Sequence, residues 1–263
     1  MYRRHLIRDF KRAQRAHRDW PVVLSEGDSW FSFADVIGRL DNPNDRDGEQ
    51  RAWALLRREK NGDEIVSMLS GGQRSLLRQD LERWPLDAVL FSGGGNDIIG
   101  PDLLSLLRPF EPGMSARDLI AFSRFGRRLR QIQDCYRELL DLVSDAGIEA
   151  KVFVNSYDYV VPSDRPVRLL GAGVAGPWML PFFERRRIPE QLYRPIARLL
   201  IDSFAAAVDA VASESRGFER LVRVETRGLL TADDWSDEIH PNRAGAFKVA
   251  EAFEKSLREN GVL

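Results

Sequence analysis

With a single cysteine, Cys135, in 263 residues, the chain cannot form an intramolecular disulfide, which excludes a stapled secreted scaffold. It has no apolar run near the roughly 18 residues of a membrane span, and its first twenty residues lack the apolar core of a signal peptide. These absences predict a soluble, cytoplasmic protein, with Cys135 as a small packed apolar side chain in a helix. Net charge is nearly absent as well. The 39 basic and 40 acidic residues leave −1, so no global field draws the chain to nucleic acid or acidic lipid. Histidine is scarce: His5 and His17 lie in the first twenty residues, and His240 is the only other one.

What is present is a globular balance of 43% hydrophobic and 30% charged residues, at a length that suits one α/β domain with insertions. Five short apolar runs, at 22–25, 64–69, 87–92, 151–155 and 221–225, alternate with segments of helical period. That pattern predicts βαβ units and a parallel sheet covered on both faces. Leu76, Leu77, Leu81 and Trp84 mark a helix ended by Pro85. Ser115 and Asp118 read as the cap of a long helix through Leu119, Phe122, Leu129, Ile132, Tyr136, Leu139 and Val143, closed by Gly147. Leu192, Ile196, Leu199, Phe204 and Val208 mark another helix. Residues 242–260 give the last, with Pro241 at its first turn and Phe247, Ala250, Phe253 and Leu257 as its buried stripe.

Two segments read as insertions into the domain at 21–263. Residues 41–60 are polar and rich in Asn, Asp and Arg. Residues 157–189 carry five prolines, glycines at 171, 173 and 176, and the aromatics Trp178, Phe182 and Phe183. The segment 1–20 is basic, with seven Arg or Lys against two Asp between Arg3 and Asp19. Its residues Tyr2, Leu6, Phe10 and Ala13 share a helical face. It reads either as a helix docked by that face or as an arm for a partner or an anionic surface.

Four places carry chemistry. Gly27-Asp28-Ser29-Trp30 follows the first apolar run, Gly71-Gly72 the second, and Gly94-Gly95-Asn96-Asp97 the third, while Asp237-Glu238-Ile239-His240 precedes the last helix. Ligands of open parallel sheets bind beyond the carboxyl ends of the strands, where the order reverses. If strand one lies between strands two and three, the first three turns open onto one crevice. A serine there needs a base and donors for an oxyanion. His240, set on a turn by Pro241, is the available base, and Asp237 three residues earlier can accept from its Nδ1–H. The backbone N–H groups of Ser29 and of Gly72 or Gly71, with the Asn96 side-chain amide, are the candidate donors. Gly93 to Asn96 lacks the Lys-Ser/Thr that would complete a phosphate loop.

On these residues the chain resembles the SGNH, or GDSL-type, hydrolases, whose four blocks supply a Ser in Gly-Asp-Ser, a Gly, an Asn in Gly-x-Asn-Asp and an Asp-x-x-His. The resemblance spans about residues 22–255. Trp30 stands where the family nickname has leucine, and two glycines compete for the second block, with Gly72 preferred for the polar triplet after it. The resemblance implies a three-layer α/β/α sandwich around a five-stranded parallel sheet in flavodoxin-like order, Ser29, Asp237 and His240 as catalytic residues, and no metal or organic cofactor. The expected substrate is a small-molecule ester or thioester, short acyl groups being favoured. An acyltransferase using the same triad, or a binding protein on the same fold, stays open. Trp30 and Trp178 are candidates for the substrate pocket, and Arg185-Arg186-Arg187 reads as a solvated charge run or an anion contact.

Overall fold

The structure, a computed structural model, describes residues 2–42, 51–169, 172–214 and 219–263. In chain order, helix α1 (Tyr2–Ala16) is followed by β1 (Val22–Gly27), α2 (Ser29–Ser32), α3 (Val36–Asp41), β2 (Ala54–Arg57), α4 (Ile65–Met68) and α5 (Gly71–Arg83). Next come β3 (Ala88–Ser92), α6 (Gly95–Ile98), α7 (Leu103–Leu106), α8 (Phe122–Asp145) and β4 (Lys151–Asn155). The remainder is β5 (Val167–Leu169), β6 (Ala172–Ala175), α9 (Leu180–Arg185), α10 (Tyr193–Ala212), β7 (Leu221–Val224) and α11 (Arg243–Glu259). Five strands form one parallel sheet in the order β2-β1-β3-β4-β7, and β5 and β6 form a separate antiparallel pair. Helices cover both faces, α3 packing with α11 and α8 packing with both α5 and α10. The central strands β1 and β3 are buried along their whole length, as a sheet sandwiched between helices requires.

The second strand corrects the sequence reading. Residues 64–69 do not form a strand: Ile65 and Met68 are buried on one side of α4, whose first N–H, on Ile65, donates to Asp97 Oδ2 at 2.8 Å. The strand beside β1 is instead Ala54–Arg57, inside the segment read as an insertion, so the latter half of 41–60 belongs to the core sheet. Residues 43–50 lie outside the described ones. Ala54 and Leu56 are buried while Leu55 and Arg57 are half-exposed, the alternation of a short edge strand in polar surroundings.

The 157–189 segment leaves the sheet after β4 and holds the β5–β6 pair and α9; Gly171 lies outside the described residues. Helix α8 begins at Phe122, later than its predicted cap. Ser115 N–H does donate to Asp118 Oδ2 at 2.9 Å, but Ile120 then pairs with Leu107 in an isolated bridge before the helix starts. Pro241 precedes α11 rather than opening it, and Asn242 is the cap, accepting from Gly245 N–H at 3.1 Å. At the other end, Phe10 of α1 is buried edge-on against Trp84 with 5.0 Å between ring centroids, so α1 is docked on the body through this side chain. Cys135 is half-buried beside the core, and burial pushes its thiol up to about 11.

Register sets the level of the site. Gly27, the last residue of β1, stands opposite Ser92, the last of β3, so the turns to Ser29 and Asn96 leave the sheet from one rung. The β1–β2 pairing ends earlier, at Ser25 and Arg57. Arg58 N–H then donates to Ser25 O at 2.8 Å and Lys60 N–H to Gly27 O at 2.7 Å. These two bonds carry the connection after β2 up to the same level, where Asn61 accepts from Ser32 Oγ–H and the Asp63 carbonyl from Asn96 Nδ2–H.

Candidate active site

Ser29 is the first residue of α2, and the turn that delivers it is fixed from below. Asp28 caps the helix, accepting from Trp30 N–H at 3.0 Å, from Ser92 Oγ–H at 2.9 Å and from Tyr157 Oη–H at 2.6 Å. With both oxygens committed and the residue buried, Asp28 holds the turn. Burial raises its pKa, against the pull of these hydrogen bonds. Trp30, also buried, donates from Nε1 to Ile239 O at 3.0 Å, tying the serine turn to the segment before α11.

That segment is compact. Asp237 Oδ1 accepts from the backbone N–H groups of Ile239 at 3.0 Å and His240 at 2.9 Å, and the carboxylate meets His240 Nδ1 at 2.9 Å. A carboxylate so placed can only accept, so Nδ1 carries the ring proton and Nε2 is left as an acceptor. His240 Nε2 lies 2.8 Å from Ser29 Oγ. Burial alone would raise the Asp237 pKa, but the imidazole and backbone donors outweigh it and hold the carboxyl below its usual value. Ser29, Asp237 and His240 thus stand in one buried line of hydrogen bonds at the carboxyl edge of the sheet.

Asn96, on α6, donates from Nδ2 to Asp63 O at 2.9 Å, which leaves its second N–H for another acceptor. It joins Ser29 in lining an apolar recess of about 20 Å³. Asp28, Trp30, Gly95, Ile99, Tyr157, Val160, Ile201 and Ile239 complete the walls. Gly72 is the second residue of α5, is exposed, and is not among the residues that line the recess. Its placement at the site rested on a strand at 64–69 that does not form, and Gly71 falls with it. The glycine of the turn that follows the true second strand is Gly62, with φ +76 and open space where a side chain would stand. Asn61 accepts from Ser32 Oγ–H and Asp63 from Asn96, so the turn is fastened on both sides. The Asn-Gly-Asp turn signal at 61–63 was the available clue in the sequence.

Of the pocket candidates, Trp30 lines the recess, whereas Trp178 stands outside it, edge to face with His240 at 5.1 Å. Phe33, 44% exposed, meets the same imidazole at 4.9 Å. Arg186 is committed to the fold, donating to Leu104 O at 2.6 Å. Sequence reasoning missed Tyr157, Val160 and Ile201, which face the recess, and Glu238, a buried acid inside the Asp-x-x-His segment.

No protein-family model and no curated protein sequence matches the chain. Solved structures do. An aryl esterase from M. smegmatis superposes with TM-score 0.52 at 15% identity, over 91% of this chain and 99% of its own. An extracellular lipase from Streptomyces rimosus gives TM-score 0.53 at 14% identity, over 89% of this chain and 99% of its own. A Slackia heliotrinireducens chain assigned to the SGNH hydrolases gives 0.50 at 13% identity, over 91% and 100%. The fold is therefore that of the SGNH, or GDSL-type, hydrolases. At these identities the likeness carries the fold, and the chemistry rests on the side chains themselves.

Proposed function

We propose that the protein is a serine ester hydrolase acting through an acyl-Ser29 intermediate. The observation that carries this reading is the buried line from Asp237 through His240 to Ser29 Oγ. Ser29 Oγ attacks the ester carbonyl carbon as its proton passes to His240 Nε2, and Asp237 stabilises the imidazolium. The carbonyl oxygen, now an oxyanion, accepts from Ser29 N–H, from the free N–H of Asn96 Nδ2 and from Gly62 N–H, which takes the place first given to Gly72. When the tetrahedral species collapses, His240 returns the proton to the departing alcohol. A water then repeats the sequence on the acyl-enzyme, releasing the acid and restoring Ser29.

A short acyl group suits this site, because the recess of about 20 Å³ beside Ser29 has room for about one water-sized group, such as an acetyl methyl. Fluorophosphonate labelling followed by mass spectrometry is expected to place the adduct on Ser29. Ser29→Ala is expected to lower nitrophenyl acetate turnover by at least about 10⁴-fold, and undiminished turnover sinks the reading. Across nitrophenyl acetate, butyrate and octanoate, kcat/KM is expected to fall steadily; a rise with chain length refutes the small acyl pocket. Added methanol separates transfer from hydrolysis, because a transferase makes methyl ester faster than free acid.

A further inference from the structure

Glu238 lies between the two residues of the Asp-His pair and takes no part in their hydrogen bonds. Its side chain is fully buried, and among the described residues no cation pairs with it. A carboxylate in that position is costly unless donors surround it. The donors come from the 157–189 excursion. Met179 N–H donates to Oε2 at 2.7 Å, Leu180 N–H to Oε1 at 2.8 Å and Ser163 N–H to Oε1 at 3.4 Å, and Trp178 N–H also donates to Oε2. In return the backbone N–H of Glu238 donates to Arg165 O at 3.2 Å. Glu238 thus collects the amides that lead into α9 and holds the chain on both sides of the β5–β6 pair to the segment that carries His240.

The residue set by these bonds is Trp178, whose ring stands 5.1 Å from the imidazole at 84°. A second feature constrains the same ring. A Cβ on Gly176, where φ is +76, would lie 2.5 Å from the Trp178 ring, so the indole folds back over a position that only glycine fills. With Phe33 also against the imidazole, two aromatic rings border the imidazole that must hand a proton to the departing alcohol.

We infer that Glu238 is a positioning residue that sets Trp178 against His240, and that Trp178 and Phe33 together form the wall for the alcohol side of the ester, favouring alcohols with a flat apolar ring. The second half rests on the ester hydrolase reading; the first does not. The acyl side is fixed by the recess and is the same for every acetate, so the wall acts in acylation, while hydrolysis of the common acetyl-enzyme is untouched by it.

The test has two arms. In the first, protein labelled at its three histidines is followed by NMR. Trp178→Ala is expected to remove a ring-current shift from His240 ring protons, and Glu238→Ala to remove the same shift while the His5 and His17 signals stay in place. Glu238→Gln, which leaves one oxygen for the amides, gives a smaller change in the same direction and serves if the alanine variant does not fold. A folded Glu238 variant with unmoved His240 signals overturns the assignment, whatever the activity. In the second arm, kcat/KM is compared for benzyl and ethyl acetate, whose alcohols differ little in acidity. The wild-type preference for benzyl acetate is expected to drop by about 2- to 10-fold in Trp178→Ala, by a similar factor in Glu238→Ala, and no further in the double variant. Equal losses on both esters would give Glu238 a general structural role and overturn the inference. A wild-type protein that hydrolyses neither ester, yet shows the NMR response, fails the hydrolase reading and the alcohol wall while leaving Glu238 as the residue that sets Trp178.

Discussion

On one side of the site, Ser29, Asn96 and the 61–63 turn are carried by strands whose rungs put them level, Gly27 opposite Ser92 and Lys60 N–H on Gly27 O. On the other, His240 and Trp178 stand on irregular chain held by carboxylates: Asp237 on its own loop, Glu238 on the entry to α9, and Asp158, which accepts from Gly228 N–H at 2.6 Å and Leu230 N–H at 2.7 Å. A strand end is placed by many ladder bonds shared along the sheet. A loop end is placed by two oxygens, so one substitution can release it. The sheet side should therefore lose chemistry when a functional side chain is removed, and the loop side should lose alignment when a holding carboxylate is removed.

The sheet side breaks hardest at its donors. Asn96→Ala is expected to lower kcat for nitrophenyl acetate by about 10²- to 10³-fold with little change in KM; a loss in KM alone would make Asn96 a substrate contact rather than an oxyanion donor. A paired substitution sharpens the correction at the second strand. Gly62→Ala places a Cβ on a left-handed turn, a conformation that costs roughly 1 kcal/mol, and is expected to lower kcat/KM by about tenfold as the turn shifts. Gly72→Ala, in the exposed first turn of α5, is expected to leave kcat/KM within about twofold and to raise Tm slightly. The reverse pattern would return the oxyanion role to Gly72.

The smallest effect on turnover is expected one rung below the nucleophile. Glu26 on β1 is buried, and burial, with Glu59 and Asp63 nearby, raises its pKa from 4.5 to about 8. Between those values the folded protein binds the proton that the unfolded chain has released, so stability falls as pH rises from about 4.5 to 8. Glu26→Gln keeps an acceptor for Gly27 N–H and removes the charge. Its Tm is expected to match wild type near pH 4.5 and to exceed it at pH 8.5, by up to about 4 kcal/mol in unfolding free energy. Parallel unfolding curves at both pH values would show that Glu26 titrates normally.

The same contrast explains what was legible in the sequence. β1, β3 and β4 carry unbroken apolar runs, at 22–24, 88–91 and 152–154, because they are covered, and Ser29, Asn96, Asp237 and His240 stand out as short motifs at strand or helix boundaries. β2 was hidden because an edge strand of four residues needs only two buried side chains, Ala54 and Leu56, while the apolar residues of α4 imitate a strand until Ile65 and Met68 are seen to be one turn apart. Gly62 and Glu238 act on or through backbone N–H groups. An amide carries no sequence identity, so a glycine in a polar turn and an acid between Asp237 and His240 look like ordinary surface positions until the partners are located in space.

Asp237 and His240 are three residues apart and joined by backbone as well as side-chain bonds, so acid and base form one cassette whose internal distance no insertion elsewhere can alter. The geometry left for the rest of the scaffold to control is the gap between Nε2 and Oγ, spanned one residue along from each partner by Trp30 Nε1–H on Ile239 O. The bulky residue beside Ser29 therefore works as a spacer gauge: Trp30 Nε1–H ties the Ser29 turn to the Asp237–His240 segment at a fixed separation.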